Sequence, residues 1–395
     1  MRKLSFAFLF SLVFAVGGFT VVWTLKYVEP VYDGKTALGW AADLNRADES
    51  VRTRASDALR AMGPTAVRSL VAGLREKDVF PKKFIQALAL KPPAAIRSRL
   101  YPYFKPVDTA SIRAGAARGL SILGPEAHAA IPALGHALHD NNPGVSMSAA
   151  EALARMGPSA VPELIQTLQT GDINARNSAA YAIGVIGPPA TNAIPSLIQT
   201  LKRGTTYDAR QAAYALGKIG PVATPGLLGL VKHQDGAVRR LAAFALGVIS
   251  PPAKQAIPSL INALEDDEGI VRLQVVESLM AIGPGDKWVI SALVERIGDK
   301  DASVRLAAVQ ALCKVAHAAN TAVPLLIKTL KDGHAPLRSW SATLLGMIGP
   351  AAKPALPALK QALEDPDEKV HACVREAMQK IESRADANAG GDSKF

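Results

Sequence analysis

The chain has 395 residues, a formal net charge of +11, 49% hydrophobic residues and only 5% aromatics. Length alone would allow two or three globular domains, and the low aromatic content suits packed helices of Ala, Leu and Ile. Two cysteines exclude a disulfide-stapled scaffold.

At the N-terminus, Leu4 to Leu25 form an uncharged run. As a helix this run would measure roughly 33 Å, enough to cross a hydrocarbon core of roughly 30 Å. Arg2 and Lys3 precede it and Trp23 lies near its far end. Positive residues stay inside, so an uncleaved anchor over residues 1–25 would hold the following chain outside the cytoplasm, as on the periplasmic side of a bacterial membrane. The alternative is a signal peptide cleaved near Gly17, after the small residues Ala15 and Gly17, with secretion of the remainder. Residues 26–36 read as a linker with Pro30 and Gly34, and Trp40 and Leu44 as part of a capping helix.

Residues 37–382 then repeat a phrase. The last large apolar residue of each copy is Leu59, Leu88, Leu120, Leu153, Ile183, Leu216, Leu246, Leu279, Leu312, Leu345 and Met378, and the last five are evenly spaced. The Leu88 copy is degenerate. Within a copy, as in Ala242, Ala243, Leu246 and Ile249, apolar residues follow the i, i+3, i+4, i+7 spacing of one helical face. Gly-Pro ends this first helix, Gly as a left-handed cap and Pro in the opening turn of the next segment. That second apolar segment, such as Ala193 to Leu201, completes the unit. Two copies, Gly157–Pro162 and Gly220–Pro225, lack three residues of the connecting phrase seen at Gly124–Pro132. A length change is absorbed by a turn and not by a packed helix, so the phrase is a connection. Such units cannot bury their apolar faces alone, and stacking supplies the core. After Ile381 the apolar period stops, and residues 383–395 are expected to be a disordered tail.

The wording Asp235-x-x-Val-Arg239-x-x-Ala-Ala-x-Ala-Leu-Gly247 and its copies resembles the short HEAT-like repeats first described in phycocyanobilin lyases, from about Leu38 to Ile381. The resemblance implies an all-α, right-handed α-solenoid of about ten helix-turn-helix repeats. It also implies a binding function for most members, with bilin lyases as an enzymatic branch. In such stacks the second helices line the inner face. Their polar positions here are Glu163, Gln166, Thr167, Ser196, Gln199, Thr200, Ser259, Asn262 and Lys328. This small, largely neutral row suits an extended peptide or a helix of a protein partner better than a phosphate backbone.

Charge is uneven. Between Arg60 and Arg118, twelve Lys/Arg stand against Glu76, Asp78 and Asp108, so this stretch holds +9 of the +11. Arg68, Arg75, Lys77, Lys82, Lys83, Arg97 and Arg99 form its centre. They would attract an acidic partner, be it lipid headgroups, protein or nucleic acid.

Acid and arginine recur four residues apart at Asp48/Arg52, Asp172/Arg176, Asp235/Arg239, Glu268/Arg272 and Asp301/Arg305. The acid is expected to cap the first helix and face the Arg one turn on, with the Arg also able to reach the next unit. His136, His139 and Asp140 are too thin a set for a metal site. The His-Glu dipeptides that hold iron in HEAT-repeat deoxyhypusine hydroxylases do not occur in this sequence. Neither does a nucleophile elbow, Walker loop, His-Glu-x-x-His or Cys-x-x-Cys. Cys313 and Cys373 sit two units apart and are expected to be separate buried thiols. No cofactor, metal or catalytic constellation is therefore assigned. The leading expectation is a membrane-anchored, extracytoplasmic scaffold for protein–protein interaction. A phycobilin-lyase-like enzyme, or nucleic-acid binding through residues 60–118, are the alternatives.

Overall fold

The computed structural model describes residues 29–76, 108–204, 206–314, 319–332 and 334–389. The expected anchor, residues 1–25, lies outside them, and among the described residues no helix is long and apolar enough to cross a membrane.

The segment expected to be a bare linker carries a small hairpin. Strands β1 (Val31–Tyr32) and β2 (Lys35–Thr36) pair antiparallel. Asp33 and Gly34 turn between them with φ of 47° and 74°, the pair of positive values that a two-residue Asp-Gly loop supplies. The hairpin is tied to helix α1 (Ala37–Asp43): the Trp40 indole donates to the Tyr32 carbonyl at 2.9 Å, and Lys35 pairs with Asp43. Trp40 is 3% exposed and so caps the apolar end of the first repeat.

Helix pairs follow in two compact units, Met1–Thr167 and Leu168–Phe395. The first holds α2 (Glu49–Met62), α3 (Val67–Leu74), α4 (Thr109–Leu123), α5 (Ile131–Ala137) and α6 (Pro143–Met156). Helix α7 (Val161–Thr170) carries the chain into the second unit. There the first helices are α8 (Ile173–Ile186), α10 (Tyr207–Ile219), α12 (Gly236–Val248), α14 (Gly269–Ile282), α16 (Ala302–Lys314) and α18 (Ala335–Ile348). They alternate with the second helices α9 (Ile194–Leu201), α11 (Thr224–Leu230), α13 (Ile257–Ala263), α15 (Lys287–Arg296), α17 (Ala319–Asp332) and α19 (Leu356–Gln361). Helix α20 (Glu368–Ala389) closes the stack. It runs past residue 383, where the sequence reading begins a tail. Arg384, Ala385, Ala387 and Ala389 in that stretch are good helix formers and prolong a helix already begun on the core.

The first helices α8, α10 and α12 bury Ala on two sides. Ala179, Ala180, Ala182, Ala212, Ala213, Ala215, Ala242, Ala243 and Ala245 are all 0% exposed. Neighbouring first helices therefore approach almost backbone to backbone. A Cβ added at Gly184 would stand 3.3 Å from the Ala215 Cα, and one at Gly217 2.6 Å from Val248. Large apolar contacts come from the period-defining residues Leu59, Leu120, Leu153, Ile183, Leu216, Leu246, Leu279 and Leu345, all 0% exposed.

Most of the described connections are 3-10 turns. Their lengths account for the shortened copies: Gly124–Ala130 has seven residues and Gly157–Ala160 four, while Pro188–Ala193 has six and Pro221–Ala223 three. The three missing residues fall in the turn both times. The Gly cap differs in detail from the left-handed geometry expected. Gly187 combines a φ of 70° with a strongly negative ψ, a region that only glycine occupies readily. Its N–H still reaches the Ile183 carbonyl at 2.9 Å. Cys373 is free and half-buried, not fully buried as expected, because its place near the end of the stack leaves one side uncovered. The side chain of Cys313 lies outside the described residues.

Candidate functional site

Helices α5, α7, α9, α11, α13 and α19 begin with Pro at their opening turn, and the second helices bury one stripe. In α7 this is Val161, Leu164 and Leu168, and in α9 Leu197 and Leu201. Side chains off this stripe form the expected partner-binding row, and the structure divides them. Gln166, Gln199, Asn262 and Lys328 are exposed; Glu163, Ser196 and Ser259 are half-buried. Thr167 and Thr200 must be removed from the row. They are 3% and 1% exposed, and their hydroxyls donate to their own helices' carbonyls, at Glu163 (3.1 Å) and Ser196 (3.0 Å). A threonine whose hydroxyl back-bonds four residues upstream turns its methyl into the core. The Glu163 carboxylate lies over Gly135 of α5, where a Cβ would collide with it. In the second unit, Gln169 donates to Ser196 at 3.4 Å.

Gln199, Asn262 and Lys328 hold the same position on α9, α13 and α17 of the second unit. On α11 that position is Gly229, around which no heavy atom stands within 4 Å of where a Cβ would be. The surface is thus neutral and open at α9 to α13. It becomes charged at α15, where Arg296 pairs with Glu265 at 2.7 Å.

In the first unit an open depression of ≈ 810 Å³ is lined by Arg75, Glu76, Arg113, His136, His139 and Asp140, among others. Both histidines share its wall, but the carboxylate beside them is engaged. Asp140 accepts two bonds from Arg113, at 2.6 and 3.1 Å, and one from the Asn142 N–H. Among the described residues no three His, Cys, Asp or Glu are grouped to hold a metal ion. Of the basic centre, Arg68 and Arg75 are exposed, and Lys77, Lys82, Lys83, Arg97 and Arg99 lie outside the described residues. Three flanking cations are already partnered: Arg60 by Asp57, Arg113 by Asp140 and Arg118 by Asn45.

The acid–arginine ladder is real, but its rungs differ from those expected. Four of the five acids cap: Asp48 accepts from the Ser50 N–H, Asp172 from Ala175, Asp235 from Ala237 and Asp301 from Ser303, each at 2.8 Å, while the Glu268 side chain makes no such bond. The arginines do not turn back to these acids, Glu268 near Arg239 being a partner from the following unit. Arg239 and Arg272 reach instead an aspartate most of a repeat further along the chain, Asp266 and Asp299, and two arginines outside the expected pairs do the same, Arg113 to Asp140 and Arg338 to Asp365, while Arg52 and Arg305 bond the loop carbonyls ahead of their own helices. A further guanidinium bond returns to the loop ahead of the arginine's own helix, as from Arg272 to the carbonyls of Asp266 and Asp267. One side chain therefore clamps the loops on both sides of its repeat. Each receiving aspartate also accepts the N–H of the next helix cap, as Asp299 does from Asp301 at 2.8 Å. That an arginine can reach the next unit holds, but the sequence reading did not name the aspartates that receive it. The signal was present as Asp140-x-Asn142, Asp266-x-Glu268, Asp299-x-Asp301 and Asp365-x-Asp367.

The aspartates are held ionised. Burial would raise Asp299 and Asp266, but the Arg272 and Arg239 hydrogen bonds, with the backbone N–H groups, outweigh it and hold both below the usual carboxylate value. Arg338 does the same for Asp365.

The sequence profile of HEAT repeats matches residues 131–217, 224–313 and 290–379. Comparison with curated proteins gives no match. Among solved structures, YibA of Escherichia coli is 24% identical over 63% of this chain and 90% of its own, with a TM-score of 0.38. The karyopherin Kap121p, bound to the extreme C-terminus of the protein phosphatase Cdc14p, is 14% identical over 87% of this chain and 45% of its own, with a TM-score of 0.42. Human deoxyhypusine hydroxylase is 22% identical over 65% of this chain and 97% of its own, with a TM-score of 0.29.

Proposed function

The chain belongs to the HEAT-repeat family, and from that premise we propose that it is a scaffold for protein–protein interaction, anchored by Leu4 to Leu25 with its repeats outside the cytoplasm. One observation carries the reading. Gln199, Gly229 and Asn262 hold one position on successive second helices of the second unit, two exposed amides flanking an open glycine. Amides offer both donors and acceptors, which suits the backbone of an extended protein segment. The Arg–Asp clamps keep these helices in register, so the surface is preorganised and little ordering entropy is lost on binding. The partnered state of Arg60, Arg113 and Arg118 leaves those cations less available to a phosphate backbone, which favours protein over nucleic acid.

The test is cross-linking and recovery of the full chain from detergent-solubilised native membranes, beside a Gln199→Lys/Asn262→Lys variant. A partner retained by the wild-type chain and lost from the variant supports the reading. A chain recovered alone overturns it. Protease accessibility on intact cells tests the topology separately: repeats protected in intact cells and cleaved only after lysis would sink the extracytoplasmic placement.

A further inference from the structure

Three successive first helices of the second unit share a stripe that the second-helix surface does not involve. In α8, α10 and α12 the segments Ala180-Tyr181-Ala-Ile-Gly184, Ala213-Tyr214-Ala-Leu-Gly217 and Ala243-Phe244-Ala-Leu-Gly247 place an aromatic ring at one position. The glycines let these helices approach closely. Gly184 lies against Ala215, next to Tyr214, and Gly217 lies against the carbonyl of Ala245, next to Phe244. Tyr214 is 38% exposed, and Tyr181 and Phe244 are half-buried.

The i−7, i−4 and i+4 positions around each ring lie on the same helical face. On α10 they are Tyr207, Arg210 and Lys218, with Tyr207 65% exposed. On α12 they include Arg240 and Val248, and on α8 Asn177 and Val185, the last 55% exposed. Not one of these positions is acidic. Three carboxylates at the starts of these helices are occupied elsewhere: Asp172 and Asp235 cap helices, and Asp208 is fully buried beside Arg176. Arg210, Lys218 and Arg240 make no ion pair with any described residue, and Lys218 lies over the Tyr214 ring at 5.2 Å. On α14 the ring position becomes Glu277, which ends the stripe.

The structure assigns to this stripe the docking of an acidic, amphipathic protein segment, whose apolar side chains lie on Tyr181, Tyr214 and Phe244 while its carboxylates meet Arg210, Lys218 and Arg240. The assignment rests on the scaffold reading and adds a second surface and the chemistry of its partner. Exposed aromatics beside arginine are what protein interfaces concentrate at their energetic centres. Uncompensated positive charge selects the partner's sign. With helices ~9 Å apart the three rings span ~18 Å, the length of about three turns of helix. A nucleic acid fits less well. Three cations fall short of the roughly six to ten phosphate contacts of a firm DNA complex.

The experiment is selection of a displayed random peptide library on the full chain in detergent, with a counter-screen on R210E/K218E/R240E. These are surface substitutions, and far-UV circular dichroism checks that the fold persists. Conservative R210K/K218R/R240K controls for general disturbance. The expected result is enrichment of peptides combining Asp or Glu with Leu, Phe or Ile. Their affinity should fall roughly tenfold or more in the charge-reversed variant and in Tyr214→Ala, and by much less in the conservative variant. Three results each overturn the assignment: no enriched peptide, enriched peptides that bind the charge-reversed variant equally well, or a duplex oligonucleotide that binds through these residues while acidic peptides do not. If one of these results is found while the Gln199/Asn262 variant loses the membrane partner that the wild-type chain retains, the scaffold reading stands and this surface alone fails.

Discussion

Two joints of the second unit do the same task with different fittings. Between α14 and α16, Arg272 grips Asp299 through two bonds, at 2.8 and 2.6 Å, with both side chains only 3% exposed. Between α8 and α10, Arg176 reaches Asp208 through a single bond at 2.5 Å, and the other carboxylate oxygen is buried without a partner. The difference begins in the loop. Asp299-Lys-Asp301 places one acid for the clamp and one for the cap, whereas Lys202-Arg-Gly-Thr-Thr206 has no acid. The clamp must borrow Asp208 from inside the following helix, further along the chain from its arginine than Asp299 is from Arg272. A repeat can thus keep its stacking while losing its loop motif, at the cost of an unsatisfied oxygen.

Acid should test all the regular joints at once and give the largest effect. Asp266, Asp299 and Asp365 have folded-state values depressed below the unfolded ones, near about 3.9. A group shifted down contributes stability that is present above the unfolded value and lost as pH falls through the folded one. Urea midpoints at constant ionic strength should therefore be flat from about pH 7 to about pH 5, then decline below about pH 4. A midpoint unchanged well below that point would mean that the clamps contribute nothing to stability.

Asp299→Ala should be the most damaging single change, about 3–5 kcal/mol, since it leaves the Arg272 guanidinium buried and without its carboxylate. Replacing both partners, by Arg272→Met with Asp299→Leu, should recover most of that loss, because the desolvation cost goes with the charges. Hydrogen exchange of α14 and α16 is the suitable measure. A stack of repeats opens locally, and a single global unfolding curve would blur the site.

Asp208→Ala should cost at least ~1 kcal/mol less than Asp299→Ala, although Asp208 is the more buried of the two. Only one bond is lost, Arg176 keeps the Gly171 carbonyl, and the buried oxygen without a partner disappears with the side chain. Equal losses at the two sites, by exchange on α8 and α10, would show that the orphaned oxygen carries no penalty.

How far these joints could be read in advance follows from the range of each signal. Helices, turns and shortened connections are local, so the Ala-Leu periodicity and Gly-Pro phrases placed them within a few residues. The caps at Asp172, Asp235 and Asp301 were legible for the same reason. The Arg–Asp clamps were not. Reach into the next unit was foreseen, but the receiving aspartate lies most of a repeat further on, and the i, i+4 neighbour supplied a ready but wrong partner. Thr167 and Thr200 misled in another way: their polarity suggests surface, yet a helix gives a hydroxyl a carbonyl of its own and lets the residue sink into the core. The stripe on α8, α10 and α12 was written in three aligned aromatics, but outward direction depends on how first helices pack on one another.

The smallest effect should have the opposite sign. Glu268 stands where Asp172, Asp235 and Asp301 stand in their repeats, but its side chain makes no cap to α14. It extends instead towards Gly236 and the Arg239 guanidinium, which it meets at 3.3 Å while 51% exposed. Its extra methylene places the carboxylate past the N–H groups that a shorter acid reaches. Glu268→Asp would exchange that exposed contact, worth a few tenths of a kcal/mol, for a cap worth about 1 kcal/mol. The bidentate Arg239–Asp266 clamp does not depend on Glu268 and should remain intact. The variant should therefore gain up to about 0.5–1 kcal/mol, read as slower amide exchange in the first turn of α14. A loss of protection there would show that Glu268 acts as a third arm of the clamp and not as a misplaced cap.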